Sequence, residues 1–130
     1  MDINSVIEYW IKSVEEDYKT AQSLFKDGRY QHSLFFCHLT IERALKALVL
    51  KNTGEHAPLT HQLIRLSELS GVNFSEEQKQ ALVEINTFNI KSRYDDYKLE
   101  FYKRATQEYA EKYFKEATNL YLWLKEQLSK

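Results

Sequence analysis

Residues 37–50 read CHLTIERALKALVL. Placed on a wheel of about 100° per residue, the apolar side chains of this stretch and its approach do not keep to one stripe. Leu34, Phe35, Phe36, Leu39, Ile41, Leu45, Leu48, Val49 and Leu50 scatter round nearly the whole circumference. A helix of that kind is covered on most sides, so it belongs at the centre of a packed bundle. Yet Glu42 and Lys46 sit inside it, four residues apart. With His38 they share one narrow stripe flanked by Phe35 and Val49, while Thr40 and Arg43 point elsewhere. On the wheel alone the ordinary reading is a cross-turn ion pair on the one solvated edge, contributing about 0.3–0.5 kcal/mol. The alternative is a polar groove lined by apolar residues and open to a ligand or a partner chain.

The rest of the chain supplies partners for that helix. A first helix is expected from about Asn4 to Lys26, with Ile3, Val6, Ile7, Trp10, Val14, Tyr18, Ala21 and Phe25 at helical spacing. Gly28 suits a left-handed cap at its end. The central helix should run from about Tyr30 to Asn52 and close at Gly54. Pro58 cannot continue a helix and biases Ala57 to extended geometry, so residues 55–59 are a connector. Thr60 then looks like the N-cap of a short helix stopped by Gly71. Ser75 and Gln78 make a capping box for a further helix whose face is Ala81, Leu82, Ile85, Phe88 and Asn89. The last helix, about Thr106 to Leu128, carries a seam of Tyr109, Ala110, Tyr113, Phe114, Ala117, Leu120, Tyr121, Leu124 and Leu128. Cross-turn pairs at Glu108–Lys112 and Glu111–Lys115 are expected on its outer side.

No segment alternates with period two. The expected fold is all-α: an antiparallel up-and-down four-helix bundle with a short extra helix. At 130 residues, with three glycines and one proline, the chain fits a single helical domain spanning 1–130. A net charge of −1 gives no overall basic field to gather nucleic acid. Any such contact must come from a local patch. The lone Cys37 has no intrachain disulfide partner, which fits a reducing compartment. The N-terminus lacks the basic start and apolar run of a signal peptide, and no apolar run approaches the roughly 18 residues of a membrane span. The expected location is cytoplasmic, with no membrane partner.

Two other places could carry chemistry. His61 falls in the first turn of the short helix, where it is either a surface or capping histidine or faces an anion together with free backbone amides. Residues 89–104, NIKSRYDDYKLEFYKR, interleave Lys91, Arg93, Lys98, Lys103 and Arg104 with Tyr94, Tyr97, Phe101 and Tyr102. That mixture can hold phosphates and stack bases, although Asp95, Asp96 and Glu100 dilute its charge. Otherwise it is a connector packing its tyrosines on the bundle. There is no Gly-rich phosphate loop, paired-cysteine zinc spacing or HExxH. His38 and Glu42 are two potential ligands and do not make a metal site, so no metal or other cofactor is expected.

Taken together, these pieces resemble the HEPN domain family of prokaryotes, small α-helical bundles often encoded beside a minimal nucleotidyltransferase. SLFFCHLTIERALKALVLKNTG resembles the family's second helix with its Glu-x-x-x-Lys core, here Glu42 and Lys46. LTHQLIRL resembles the Thr-His-x-Leu element, here Thr60, His61 and Leu63. FNIKSRYDDY resembles the Arg-Tyr-Pro-Asp element, giving Arg93, Tyr94 and Asp96, with Asp95 where proline is common. The resemblance implies one shared polar groove holding Glu42, Lys46, His61 and Arg93, completed by a second subunit. Lys46 and Arg93 would neutralise phosphate, His61 would add a hydrogen bond, Glu42 would hold the cations or accept from a base or ribose, and Tyr94 would stack.

Three roles are implied by the resemblance. Some HEPN proteins are metal-independent ribonucleases, often toxins, whose motif is Arg-x(4–6)-His. The histidine moves a proton at the ribose 2′-hydroxyl and the arginine holds the scissile phosphate. No histidine lies at that spacing after Arg29, Arg43, Arg65, Arg93 or Arg104, and none follows His61. The expectation is therefore a non-catalytic subunit that binds nucleotide or nucleic acid and acts with a minimal nucleotidyltransferase in a toxin–antitoxin-like system, as a homodimer. The alternatives are a ribonuclease with a degenerate site using His61 or His38, and a purely structural dimeric module. The homodimer is also suggested by 18 aromatic residues (two Trp, nine Tyr, seven Phe), more than one small bundle obviously needs inside.

Overall fold

The computed structural model describes residues 2–91 and 102–130. The helices described from end to end are α1 (Ile3–Lys26), α2 (Tyr30–Thr53), α3 (Leu63–Leu69), α4 (Glu76–Lys91) and α5 (Gln107–Leu128), and residues 102–104 are helical as well. Among the described residues there is no strand. Each long helix begins or ends where its sequence says it should. Asp2 caps α1 by accepting from the Ser5 amide at 2.8 Å. Gly28 closes α1 at φ 77° and Gly54 closes α2 at φ 78°, a backbone region that a side chain makes costly. Ser75 and Gln78 bond reciprocally at 2.8 and 3.1 Å, the expected capping box of α4. Thr106 caps α5 through the Tyr109 amide. On the outer side of α5, Glu111 accepts from Gln107 at 3.0 Å.

The short helix starts later than expected. Thr60 is not its N-cap: the Thr60 hydroxyl accepts from the Gln62 amide at 3.2 Å in a local turn, and α3 begins at Leu63. The Leu63 amide is instead satisfied from another helix, by Asn86 Oδ1 of α4 at 2.8 Å. A cap supplied from 23 residues away leaves no local trace in the sequence.

α2 is the axis of the bundle. It touches α1, α3, α4 and α5, and more than half of its 24 residues are buried. Contacts fix the directions. Tyr18 stacks on Tyr121 at 4.5 Å and Phe25 on Phe114 at 4.7 Å, so α5 runs against α1. Phe88 meets Tyr109 and Tyr113 edge-on, while Ala81 shares a cleft with Leu120, so α4 runs against α5. The result is an antiparallel up-and-down four-helix bundle with α3 on the α2–α4 connection. Leu34, Ile41, Leu45, Leu48, Leu63, Leu66, Leu82, Ile85, Phe88 and Leu124 are almost fully buried in its core. Lys51, at the end of α2, donates to the carbonyls of Gln127 (3.1 Å), Leu128 (3.0 Å) and Lys130, a cation on the negative end of α5.

The aromatic surplus is largely accounted for inside one chain. Tyr18, Phe25, Phe74, Phe88, Tyr109, Tyr113, Phe114, Tyr121 and Trp123 all pack on the core or belong to it. Tyr18 is further tied by a 2.9 Å bond between its hydroxyl and that of Thr118.

Candidate functional site

Glu42 does not lie on a solvated edge. It is 5% exposed, on the face of α2 that meets the connector before α3. A carboxylate so placed needs donors, because an unpaired buried charge costs several kcal/mol. Glu42 has one on each oxygen. Lys46 Nζ donates to Oε2 at 3.1 Å, one turn along α2. His61 Nδ1 lies 2.9 Å from Oε1, reaching in from the connector. His38, one turn back and fully buried, places Nδ1 3.7 Å from the same Oε1. Its Nε2 lies 3.3 Å from the His61 carbonyl, which can only accept, so that nitrogen carries the hydrogen.

The connector is thus pinned to α2 at two points of one residue, the ring and the carbonyl of His61. Pro58 turns the chain there, with the Thr60 amide donating to the Pro58 carbonyl at 2.8 Å. The consequence is a fixed tautomer. With Nδ1–H of His61 donating to Glu42, Nε2 is left at the edge of a ring whose side chain is 53% exposed. Lys46 keeps two further ammonium hydrogens, with 16% of its side chain exposed. The arrangement spends the negative charge inward and presents outward the Lys46 ammonium hydrogens, which donate, and the His61 Nε2 lone pair, which accepts.

Of the residues expected at the site, Glu42, Lys46 and His61 are brought into direct contact. Arg93, Tyr94 and Asp96 lie outside the described residues. His38 joins the cluster through the His61 carbonyl. Its place on the Glu42 stripe was the signal for it. Arg43 points away, as the wheel indicated, and pairs with Asp17 of α1 at 2.8 Å. Burial raises the Asp17 carboxyl above its ordinary value, and the Arg43 guanidinium works in the opposite direction. Among the described residues no group of three His, Cys, Asp or Glu side chains forms a metal-binding arrangement. Nor is any helix among them long and apolar enough to cross a membrane.

A HEPN domain profile matches residues 7–127. This chain belongs to the HEPN family. Two solved structures share its fold. TT1696 from Thermus thermophilus is 20% identical, with a TM-score of 0.79 over 93% of this chain and 97% of its own. ST0689, described as an archaeal HEPN homologue, is 21% identical, with a TM-score of 0.72 over 94% and 97%. Comparison with curated proteins gives no match.

In this HEPN chain Cys37 lies one residue before His38, on the core side of α2, and is 1% exposed. Burial pushes its thiol up to about 12. Native protein at pH 8 is therefore expected to resist a thiol reagent such as DTNB, and labelling should track unfolding in denaturant. Rapid stoichiometric labelling without denaturant would show that the α2 core opens far more readily than its packing implies.

Proposed function

We propose that this HEPN chain is a non-catalytic subunit that binds a nucleotide or RNA through the Glu42–Lys46–His61 cluster. It acts beside a minimal nucleotidyltransferase in a toxin–antitoxin-like pair, as a homodimer, with Arg93, Tyr94 and Asp96 completing the ligand surface. One observation carries the reading. A nearly buried carboxylate is satisfied on both oxygens by Lys46 and His61, each of which still reaches the surface. Fixing the Lys46 ammonium and the His61 ring in advance lowers the ordering cost of binding a ligand that carries a phosphate and a hydroxyl. Lys46 would take a phosphate oxygen, and His61 Nε2 would accept from a ligand hydroxyl. The absence of the Arg-x(4–6)-His spacing from the sequence supports binding without cleavage.

The test is thermal unfolding with ATP, GTP, CTP, UTP and a short RNA. A ligand at about 100 times its Kd adds about 2.7 kcal/mol, a rise of several degrees. The expected result is a rise with at least one ligand that is lost in Lys46→Ala. No rise with any of them sinks the stand-alone binding role and favours the structural one.

A second reading draws on the Glu42–His61 pair itself. A carboxylate holding Nδ1 and leaving Nε2 outward is the arrangement of a general base. If the chain cleaves RNA, His61→Ala abolishes the activity and Glu42→Gln reduces it strongly. Cleavage that survives His61→Ala in purified protein would remove this reading.

A further inference from the structure

A second polar cleft lies away from Glu42. It opens between the α1–α2 turn and the segment leading into α5, with a volume of about 560 Å³. Arg29, Tyr30 and His32 line one wall and Tyr102 and Lys103 the other. Its described lining contains cations and aromatic rings and no carboxylate. A pocket of this size suits a nucleotide-sized molecule.

Both walls are held. On the first, Gly28 takes φ 77°, and the Arg29 amide donates back to the Leu24 carbonyl at 2.8 Å. Tyr30 packs edge-on against Phe25 at 5.5 Å. Arg29 Nε is taken by Asp27 at 2.8 Å, which leaves its two terminal amino groups for another acceptor. On the second wall, Ala105 is 7% exposed, and Arg104 is clamped by Glu84 at 3.0 Å and by the Tyr109 hydroxyl at 3.3 Å. Glu84 in turn accepts from the Tyr109 hydroxyl at 2.5 Å. With its neighbours anchored, Lys103 is exposed at the cleft and Tyr102 is 68% exposed. A large ring left outside a core that has absorbed most of its aromatic neighbours has surface free for stacking.

We infer that this cleft binds a phosphate group of a nucleotide-sized ligand, with Arg29 and Lys103 on the phosphate and the Tyr30 and Tyr102 rings available to a base. Cations that neutralise phosphate beside aromatic rings that stack are the combination such ligands require. The cleft is separate from the Glu42 cluster: His32 precedes Glu42 by ten residues, about 15 Å along the α2 axis. The inference therefore stands or falls independently of the reading proposed for Glu42, Lys46 and His61.

Backbone amide NMR of the full chain tests it, with inorganic pyrophosphate, AMP and a uridine hexamer as three arms. Saturable shifts are expected at the Gly28, Gln31, His32 and Lys103 amides. Arg29→Ala and Lys103→Ala should each weaken binding about tenfold or more, as loss of a charge-assisted bond does. Both side chains are exposed, so unchanged melting confirms that the variants are folded, and Lys12→Ala, elsewhere on the surface, serves as control. Shifts with pyrophosphate and AMP identify a free phosphate compound. Shifts with the hexamer alone identify the phosphate of a strand. The amides of Lys46 and His61 report the other site in the same spectra. No shift at the cleft in any arm, or shifts that Arg29→Ala and Lys103→Ala leave unaltered, overturns the inference.

Discussion

Lys46→Met is expected to lower the unfolding free energy by about 2–3 kcal/mol, and adding Glu42→Met should recover most of that loss. Removing the ammonium leaves a carboxylate whose side chain is 6% exposed with one of its two donors gone. Breaking a fully buried pair costs about 3–5 kcal/mol, because the remaining charge stays out of water. The figure is smaller here because Lys46 is partly exposed and His61 still holds Oε1. Once Glu42 is also apolar, the uncompensated charge disappears, and hydrophobic replacement of a buried pair is commonly neutral or stabilising. His61, half exposed, can then turn its Nδ1–H to water. Denaturant unfolding of the two single variants and the double variant gives the coupling directly. If Lys46→Met costs under about 0.5 kcal/mol, the pair behaves as a solvated surface bridge and the enclosed cluster is wrong.

Phe88→Ala should cost about 3–5 kcal/mol and lower the melting temperature by about 10 °C or more. Phe88 is fully buried on α4 and stands edge-on to Tyr109 at 6.2 Å and Tyr113 at 5.9 Å. Truncation removes the ring and leaves a void between two helices already joined by the short Glu84–Tyr109 bond. Tyr109 is held well above the usual phenol range, first by burial and then by its bond to Glu84, so it stays a donor through the neutral range. Val83→Ala, at a residue 57% exposed on the same helix, is the control and should cost well under about 1 kcal/mol. Equal effects at the two positions would mean that α4 packs by a different face.

The two clearest helix ends were legible because their signals are local. Gly28 and Gly54 mark them, and Ser75 with Gln78 marks a start, through chemistry confined to a few residues. The all-round apolar pattern of residues 34–50 announced a central helix, and the α4 face of Ala81, Leu82, Ile85, Phe88 and Asn89 is buried throughout. Thr60 misled because its hydroxyl does accept from an amide two residues on, in a turn that α3 does not continue. The true partner of the α3 amide, Asn86, comes from α4 and cannot be read from spacing.

The site was legible in part for the same reason. Glu42 and Lys46 share a stripe by arithmetic, and the wheel also put His38 there. The wheel could not show that the stripe is covered. That depends on a connector folding back 19 residues later to set His61 on the carboxylate. Glu42 is enclosed by Lys46 and His61, so the wheel's ordinary reading of a solvated edge does not hold. The cleft beside Gly28 had no sequence signal as a whole, because its walls come from opposite ends of the chain.

The most direct test of the account is histidine-ring NMR on the full chain, which carries four histidines. Assigned ring signals of His61 are followed while the nucleotide or RNA that raises the melting temperature is added. The account predicts that the His61 ring moves with a saturable profile, and that Lys46→Ala weakens the response by about tenfold or more. A ligand that binds and saturates while His61 stays unmoved would contradict it and leave the Glu42 cluster with a structural role alone.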